Sequence, residues 1–118
     1  LATVRPDGGP RVHPVCPVIS DAGLHLLIVA GPKRQDLHRD GRYALHAVYD
    51  PNEPHEFLVR GRALRVTDAA TRAAMAQDWF FTVSEAYPLY ELMVEHVVVG
   101  ERPTADDWPP QYRSWRAG

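Results

Sequence analysis

The chain has 118 residues, 45% hydrophobic and 24% charged, with a formal net charge of −2. That length predicts a single domain, residues 1–118, with a modest core and something to gain from burying further surface in an oligomer. The near-neutral charge argues against a general nucleic-acid or membrane-surface binder, and a lone cysteine, Cys16, excludes a disulfide framework or a cysteine-based zinc cluster.

Leu1–Arg5 reads as a short strand already under way, so a segment is expected to precede it. Pro6-Asp7-Gly8-Gly9 carries strong turn chemistry. Arg11–Ile19 is predicted as its hairpin partner, with Arg11, His13, Val15 and Pro17 on one face and Val12, Pro14, Cys16 and Val18 on the other. Pro14 and Pro17 donate no ladder hydrogen bonds, which puts this strand at an edge, at a bulge or beside a ligand. Ser20-Asp21-Ala22-Gly23 turns the chain into Leu24–Ala30, an almost wholly apolar run that reads as a buried strand. Gly31-Pro32 stops it. A helix is predicted from Pro32 to Asp40, with Gly41 placed for a left-handed stop, and Arg42–Val48 returns as a strand.

Asp50–Pro54 is a polar loop. His55–Val66 predicts a long strand with Phe57, Val59, Gly61 and Ala63 on one face, and Gly61 in its middle marks a bulge, a barrel corner or a close approach. Thr67-Asp68 caps a helix from Ala69 to Phe80, expected to pack through Ala69, Ala73, Ala76 and Phe80. Tyr87–Val99 begins with a possible helical stretch and ends in a final strand over Val94–Val99. Glu101–Gly118 is proline-rich and reads as an irregular tail whose Trp108, Tyr112 and Trp115 cover a groove or a partner subunit. About six short strands and two helices predict a mainly β fold, a small antiparallel β-barrel with Greek-key-like connections.

The chemistry concentrates where the first helix starts. Unpaired backbone N–H groups at a helix N-terminus attract anions. Lys33 and Arg34 stand in that first turn, where the helix dipole favours acids, and Lys33 is the only lysine in the chain. A bound phosphate accounts for two cations there; two solvated side chains on a surface turn are the plainer alternative.

The order of motifs carries a family resemblance. Ala-Thr-Val-Arg-Pro-Asp-Gly-Gly-Pro-Arg-Val-His-Pro-Val, a hydrophobic strand into Gly-Pro-Lys-Arg-Gln-Asp-Leu, then Asp-Gly-Arg-Tyr-Ala-Leu-His and Val-Arg-Gly-Arg-Ala together resemble the pyridoxamine 5′-phosphate oxidase-like flavoproteins. The likeness is good over about Leu1–Val66 and loose beyond. It implies a split antiparallel β-barrel that is a homodimer, with flavin mononucleotide (FMN) at the subunit interface and a small molecule as substrate. It also implies that Arg11, Val12, His13 and Pro14 line the ring and ribityl chain, that Val29, Ala30 and Gly31 form the adjacent strand end, and that Lys33 and Arg34 hold the phosphate. The true oxidases follow a Trp-Arg with Arg-x-His; here Trp115-Arg116 echoes the first part and no Arg-x-His follows, so the reading departs from vitamin B6 oxidation. A deazaflavin or haem in place of FMN, on a reductase or a non-catalytic carrier, is the alternative on this fold.

Other residues leave two readings open. Trp108 and Trp115 either close over the neighbouring subunit's flavin or pack the tail. His13 either lies against the ring or is a solvated strand histidine. Arg60 and Arg62 share a strand face that is either solvated or a second anion site. Cys16 is expected as a buried small hydrophobe, and His38, His46, His55 and His96 show no metal-ligand spacing. There is no nucleophile–base pair, which disfavours a hydrolase and leaves a flavoprotein untouched, because there the cofactor carries the reaction. The apolar runs fall far short of a membrane span and no signal-peptide pattern is visible, so a cytoplasmic protein is expected. The arginine-rich, lysine-poor composition matches a GC-rich bacterial genome.

Overall fold

The strand Leu89–Glu101 is the spine against which the rest of the sheet is laid. The computed structural model describes residues 1–47, 55–77, 79, 84 and 86–118. Among these, the elements in chain order are β1 (Ala2–Val4), β2 (Pro10–Val12), β3 (Val18–Ser20), β4 (Gly23–Leu27), α1 (Pro32–Arg39), β5 (Arg42–His46), β6 (Glu56–Val66), α2 (Ala69–Ala76), β7 (Leu89–Glu101) and β8 (Gln111–Arg116). The sheet order is β2-β1-β5-β6-β7-β4-β3, with β8 also on β7. One edge of β7 pairs with β6 along its whole length. Its other edge is shared, β4 taking Leu89–Glu91 and β8 taking His96–Glu101. All pairings are antiparallel, and the shared edge makes the barrel a split one.

Alternation along the strands separates two cores. Leu26, Ile28, Tyr43, Val59, Tyr90 and Leu92 fill the barrel. Leu89, the neighbour of Tyr90, points to the opposite face and packs with Met75 of α2 and Trp79. Each fully buried side chain of this kind contributes about 1.5–3 kcal/mol. Of the four β6 residues expected to share a face, Val59, Gly61 and Ala63 are buried, while Phe57 is 36% exposed. The register of β6 against β7 shifts between Arg60 and Gly61, so Gly61 does sit at a bulge. A Cβ there would lie 1.9 Å from the Met93 carbonyl oxygen, and only glycine fits.

Several expectations are corrected. Arg11–Ile19 is not one strand: β2 ends at Val12 and β3 begins at Val18, at opposite ends of the sheet order. Pro14 and Pro17 lack the N–H that a continuous ladder needs. The alternation holds as far as Cys16, with Arg11, His13 and Val15 half-buried and Val12, Pro14 and Cys16 exposed, and it reverses at the exposed Pro17 and half-buried Val18. Cys16 is thus a surface residue rather than a buried one. β4 stops at Leu27, although Ile28 stays fully buried. Gly41 is not in a left-handed conformation; α1 ends at an extended Asp40. Gly41 instead allows close approach, because a Cβ would meet the Ala63 carbonyl at 3.1 Å.

The helix expected from Ala69 to Phe80 ends at Ala76 and packs through Met75, with Ala69 and Ala73 exposed. Its Asp68 cap is as read, the carboxylate accepting the Thr71 N–H at 2.9 Å. No helical start precedes the valines, since β7 is extended from Leu89 onward, and the tail supplies a further strand, β8. Val48, the Asp50–Pro54 loop and Phe80 lie outside the described residues. No helix of the described residues is long and apolar enough to cross a membrane.

Candidate cofactor site

The strand β4 delivers the chain to α1 through Val29, Ala30 and Gly31. The Ile28 N–H bonds to the Pro88 carbonyl at 3.2 Å, which ties this connection to the Leu89 end of β7. Gly31 is the N-cap and has φ 157 and ψ −178, with no side chain capping the helix. A Cβ on Gly31 would meet nothing within 4 Å, so the space over the helix start is open. The N–H groups of Arg34 and Gln35 both bond to the Gly31 carbonyl, at 3.1 and 3.2 Å, winding the first turn tightly. Pro32 has no N–H, and the Lys33 N–H has no intrahelical acceptor. No acid stands in the first turn, and His38 and Arg39 occupy the last, as the dipole favours.

Lys33 and Arg34 are both half-buried. Their charges reach different neighbours. The Lys33 charge acts on the Leu1 nitrogen, which in turn donates to the His13 carbonyl at 2.8 Å. The Arg34 charge is felt at Tyr90, where burial raises the phenol's pKa and Arg65 and Arg34 oppose that rise. The Tyr90 hydroxyl lies 2.5 Å from His38 Nε2. Both cations stand in the first turn of α1, and each acts on a group from another part of the barrel.

Arg11 is committed elsewhere than composition suggests. Its Nε donates to Asp36 Oδ2 at 2.7 Å, and Thr3 Oγ1 donates to the same oxygen at 2.8 Å. Arg39 adds a third donor at 3.1 Å on Oδ1. Asp36 is 1% exposed, and burial alone would raise its pKa; the hydrogen bonds from Arg11, Thr3 and Arg39 outweigh this and hold it below the usual carboxylate value. Sequence reasoning missed Asp36, whose partners Arg11 and Thr3 are 25 and 33 residues away.

His13 keeps its backbone N–H on the Leu1 carbonyl, while its Nε2 is buried with no partner. Val12 points away from Arg11 and His13 and is 75% exposed; Pro14, Val29 and Ala30 are exposed too. Trp108 is exposed with the Arg102 guanidinium 6.0 Å from its ring centre. Trp115 lies on β8 opposite Val97. From Tyr90 to Val97 the strand advances about 20 Å at its usual rise. Within one chain, then, the connection into α1 is tied to the Leu89 end of β7, and Trp115 pairs with Val97 in its other half.

By fold the chain is a split antiparallel β-barrel, and it matches the barrel fold of the pyridoxamine 5′-phosphate oxidase-like proteins. Among solved structures it is similar to PhzG from Burkholderia lata 383, determined in complex with tetrahydrophenazine-1-carboxylic acid. The TM-score is 0.72, with 12% identity over 99% of this chain and 74% of PhzG. No family model and no curated protein matches the chain by sequence. At that identity the likeness is one of fold.

Proposed function

We infer that the chain is an FMN-binding oxidoreductase that works as a homodimer with the cofactor between subunits. The observation that carries this is the start of α1: uncapped, free of acids, open over Gly31 and carrying the half-buried Lys33 and Arg34 in its first turn. The Lys33 N–H, the helix dipole and two cations all act there with one sign, and a phosphate dianion is the ligand they favour. Charge-assisted hydrogen bonds of roughly 1.5–3 kcal/mol each would supply a large share of the ~8 kcal/mol that micromolar binding needs.

The residues around this start also fit a flavin ring. His13 Nε2 is a buried polar atom in need of a partner, and Val29, Ala30 and Gly31 offer a narrow, small-residue border. FMN, when bound, supplies hydride and electron transfer. Lys33 and Arg34 bind its phosphate, His13 orients the ring, and Asp36 holds α1 in place through Thr3 and Arg11. A reduced nicotinamide or a small organic molecule stacked on the ring is the substrate class this arrangement suits.

The second subunit has a surface to dock on. The core-facing side of the sheet continues past the barrel as an open apolar strip, with Phe57 36% and Trp115 55% exposed and Val97 and Val99 half-buried between them. A groove of about 190 Å³ runs along it beside Arg113 and Ser114. A second copy covering that strip would bury Phe57 and Trp115.

The absorbance spectrum of protein as purified tests the reading. Two flavin bands and release of FMN on denaturation are expected. A haem or deazaflavin spectrum would replace FMN by the other cofactors, and colourless protein that takes up none of them overturns it. Anaerobic addition of NADPH should bleach the bound flavin; a flavin that resists every reductant tried would mark a carrier without turnover.

A further inference from the structure

One register row crosses the outer face of the sheet: Ala2 on β1, Ala44 on β5, Arg60 on β6, His96 on β7 and Arg116 on β8, each paired directly with the next. Direct partners present their side chains on one face. This face is opposite to that of Val59, which lies in the core, and to that of Thr3, which is bonded to α1. The row lies in a cleft of about 440 Å³. That is within the range of small-molecule sites.

The two ends of the row differ in chemistry. Ala2 and Ala44 leave room at one end, and two guanidiniums and an imidazole crowd the other. Arg60 Nε donates to His96 Nδ1 at 3.1 Å, so the imidazole proton is on Nε2, where it is a donor. Among the described residues, Arg116 makes no ion pair or hydrogen bond through its side chain, and Arg60 makes only the one to His96. The other charges on this face are engaged. Glu95 pairs with Arg62 at 3.6 Å, and Arg42 is held by Asp40 at 2.6 Å. Burial, Arg116 and Arg60 all push the His96 pKa down, the mark of a positive potential without a facing acid. Like charges facing each other across strands cost stability, and an anion between them offsets that cost.

We propose that this cleft binds a small organic anion, its carboxylate or phosphate head held by Arg60, Arg116 and the His96 Nε2–H and its body lying over Ala2 and Ala44. The site is distinct from the start of α1 and does not depend on the cofactor reading.

The test is an NMR titration of the full chain with inorganic phosphate and, separately, with acetate, following the His96 imidazole and the Arg60 and Arg116 side-chain N–H signals. Saturable shifts with either probe support the site, and the stronger probe names the head group. Arg60→Gln and Arg116→Gln, both at exposed positions, should each weaken binding by about tenfold, the value of one charge-assisted hydrogen bond. Lys33→Ala with Arg34→Ala should leave it unchanged, which separates this site from the phosphate site on α1. Signals unmoved by both probes at millimolar concentration, or wild-type affinity in the doubly substituted Arg60→Gln/Arg116→Gln chain, overturn the proposal.

Discussion

Asp36 Oδ2 and Arg11 Nε meet at 2.7 Å, joining the middle of α1 to the strand β2. Thr3, the direct cross-strand partner of Arg11, donates to the same oxygen at 2.8 Å. One carboxylate thereby clamps the helix onto both strands of the first hairpin. It also sets the rotation of α1, and with it the directions in which Lys33 and Arg34 project one turn earlier.

Removing that carboxylate should be expensive. In Asp36→Ala the Arg11 guanidinium and Thr3 hydroxyl lose their acceptor, and breaking a buried pair from one side costs about 3–5 kcal/mol. Urea unfolding measures this directly. A loss well under 1 kcal/mol would mean that the clamp is dispensable.

The same group predicts the direction of the pH dependence. Its pKa in the folded chain is below the ordinary 3.8, so the unfolded chain binds the proton more readily. The stability it contributes is complete above 3.8 and is lost as pH falls through the lower, folded value. The difference in unfolding free energy between wild type and Asp36→Asn should therefore be constant near neutrality and narrow in acid. A gap that widens in acid would contradict the sign.

Gly61→Ala tests the bulge. The added Cβ meets the backbone oxygen of Met93 at 1.9 Å and the backbone nitrogen of Glu95 at 3.0 Å, with no flexible side chain to give way. Overpacking of this kind costs about 1–3 kcal/mol or more. Thermal unfolding should show a clear fall, and an unshifted midpoint would mean that β7 slides without cost.

Replacing Lys33 and Arg34 together with alanine should weaken FMN binding at least about tenfold, since each removes a charge-assisted contact. Both lie at the solvent-side start of α1, so far-ultraviolet circular dichroism should not change. Unaltered FMN affinity, read by fluorescence quenching, would remove the phosphate role.

Trp115→Glu places a charge on the open strip beside Val97. Sedimentation should show a shift from dimer to monomer, and FMN should leave with dissociation. A monomer that keeps its flavin fully quenched would locate the whole pocket in one chain.

Strand placement was legible where local chemistry is strong. Asp7-Gly8-Gly9 turns the chain between β1 and β2, with Gly8 at φ 85, and Gly61 marks the bulge in β6. Pro14 and Pro17 were visible as ladder breakers, but alternation on either side of them hid the fact that β2 and β3 separate. β8 was overlooked because Trp108, Pro109 and Pro110 suggest an irregular tail, and its six residues are exposed on both faces, so no apolar alternation announces it. The basic pair at the helix start was readable from composition alone. The outer row was only half visible, since Arg60 can be seen on its strand face while its register with His96 and Arg116 cannot.

Residue order by itself determined the turn at Asp7-Gly8-Gly9, the bulge at Gly61 and the two helix starts, because each depends on backbone preferences within a few neighbouring residues. Tertiary structure alone decided that Arg11 serves Asp36, that β4 and β8 divide one edge of β7, and that Arg60, His96 and Arg116 line up. A strand's two-residue period is the same whichever neighbour it takes, so partners distant in the chain leave no spacing to read, and only the packed sheet selects among them.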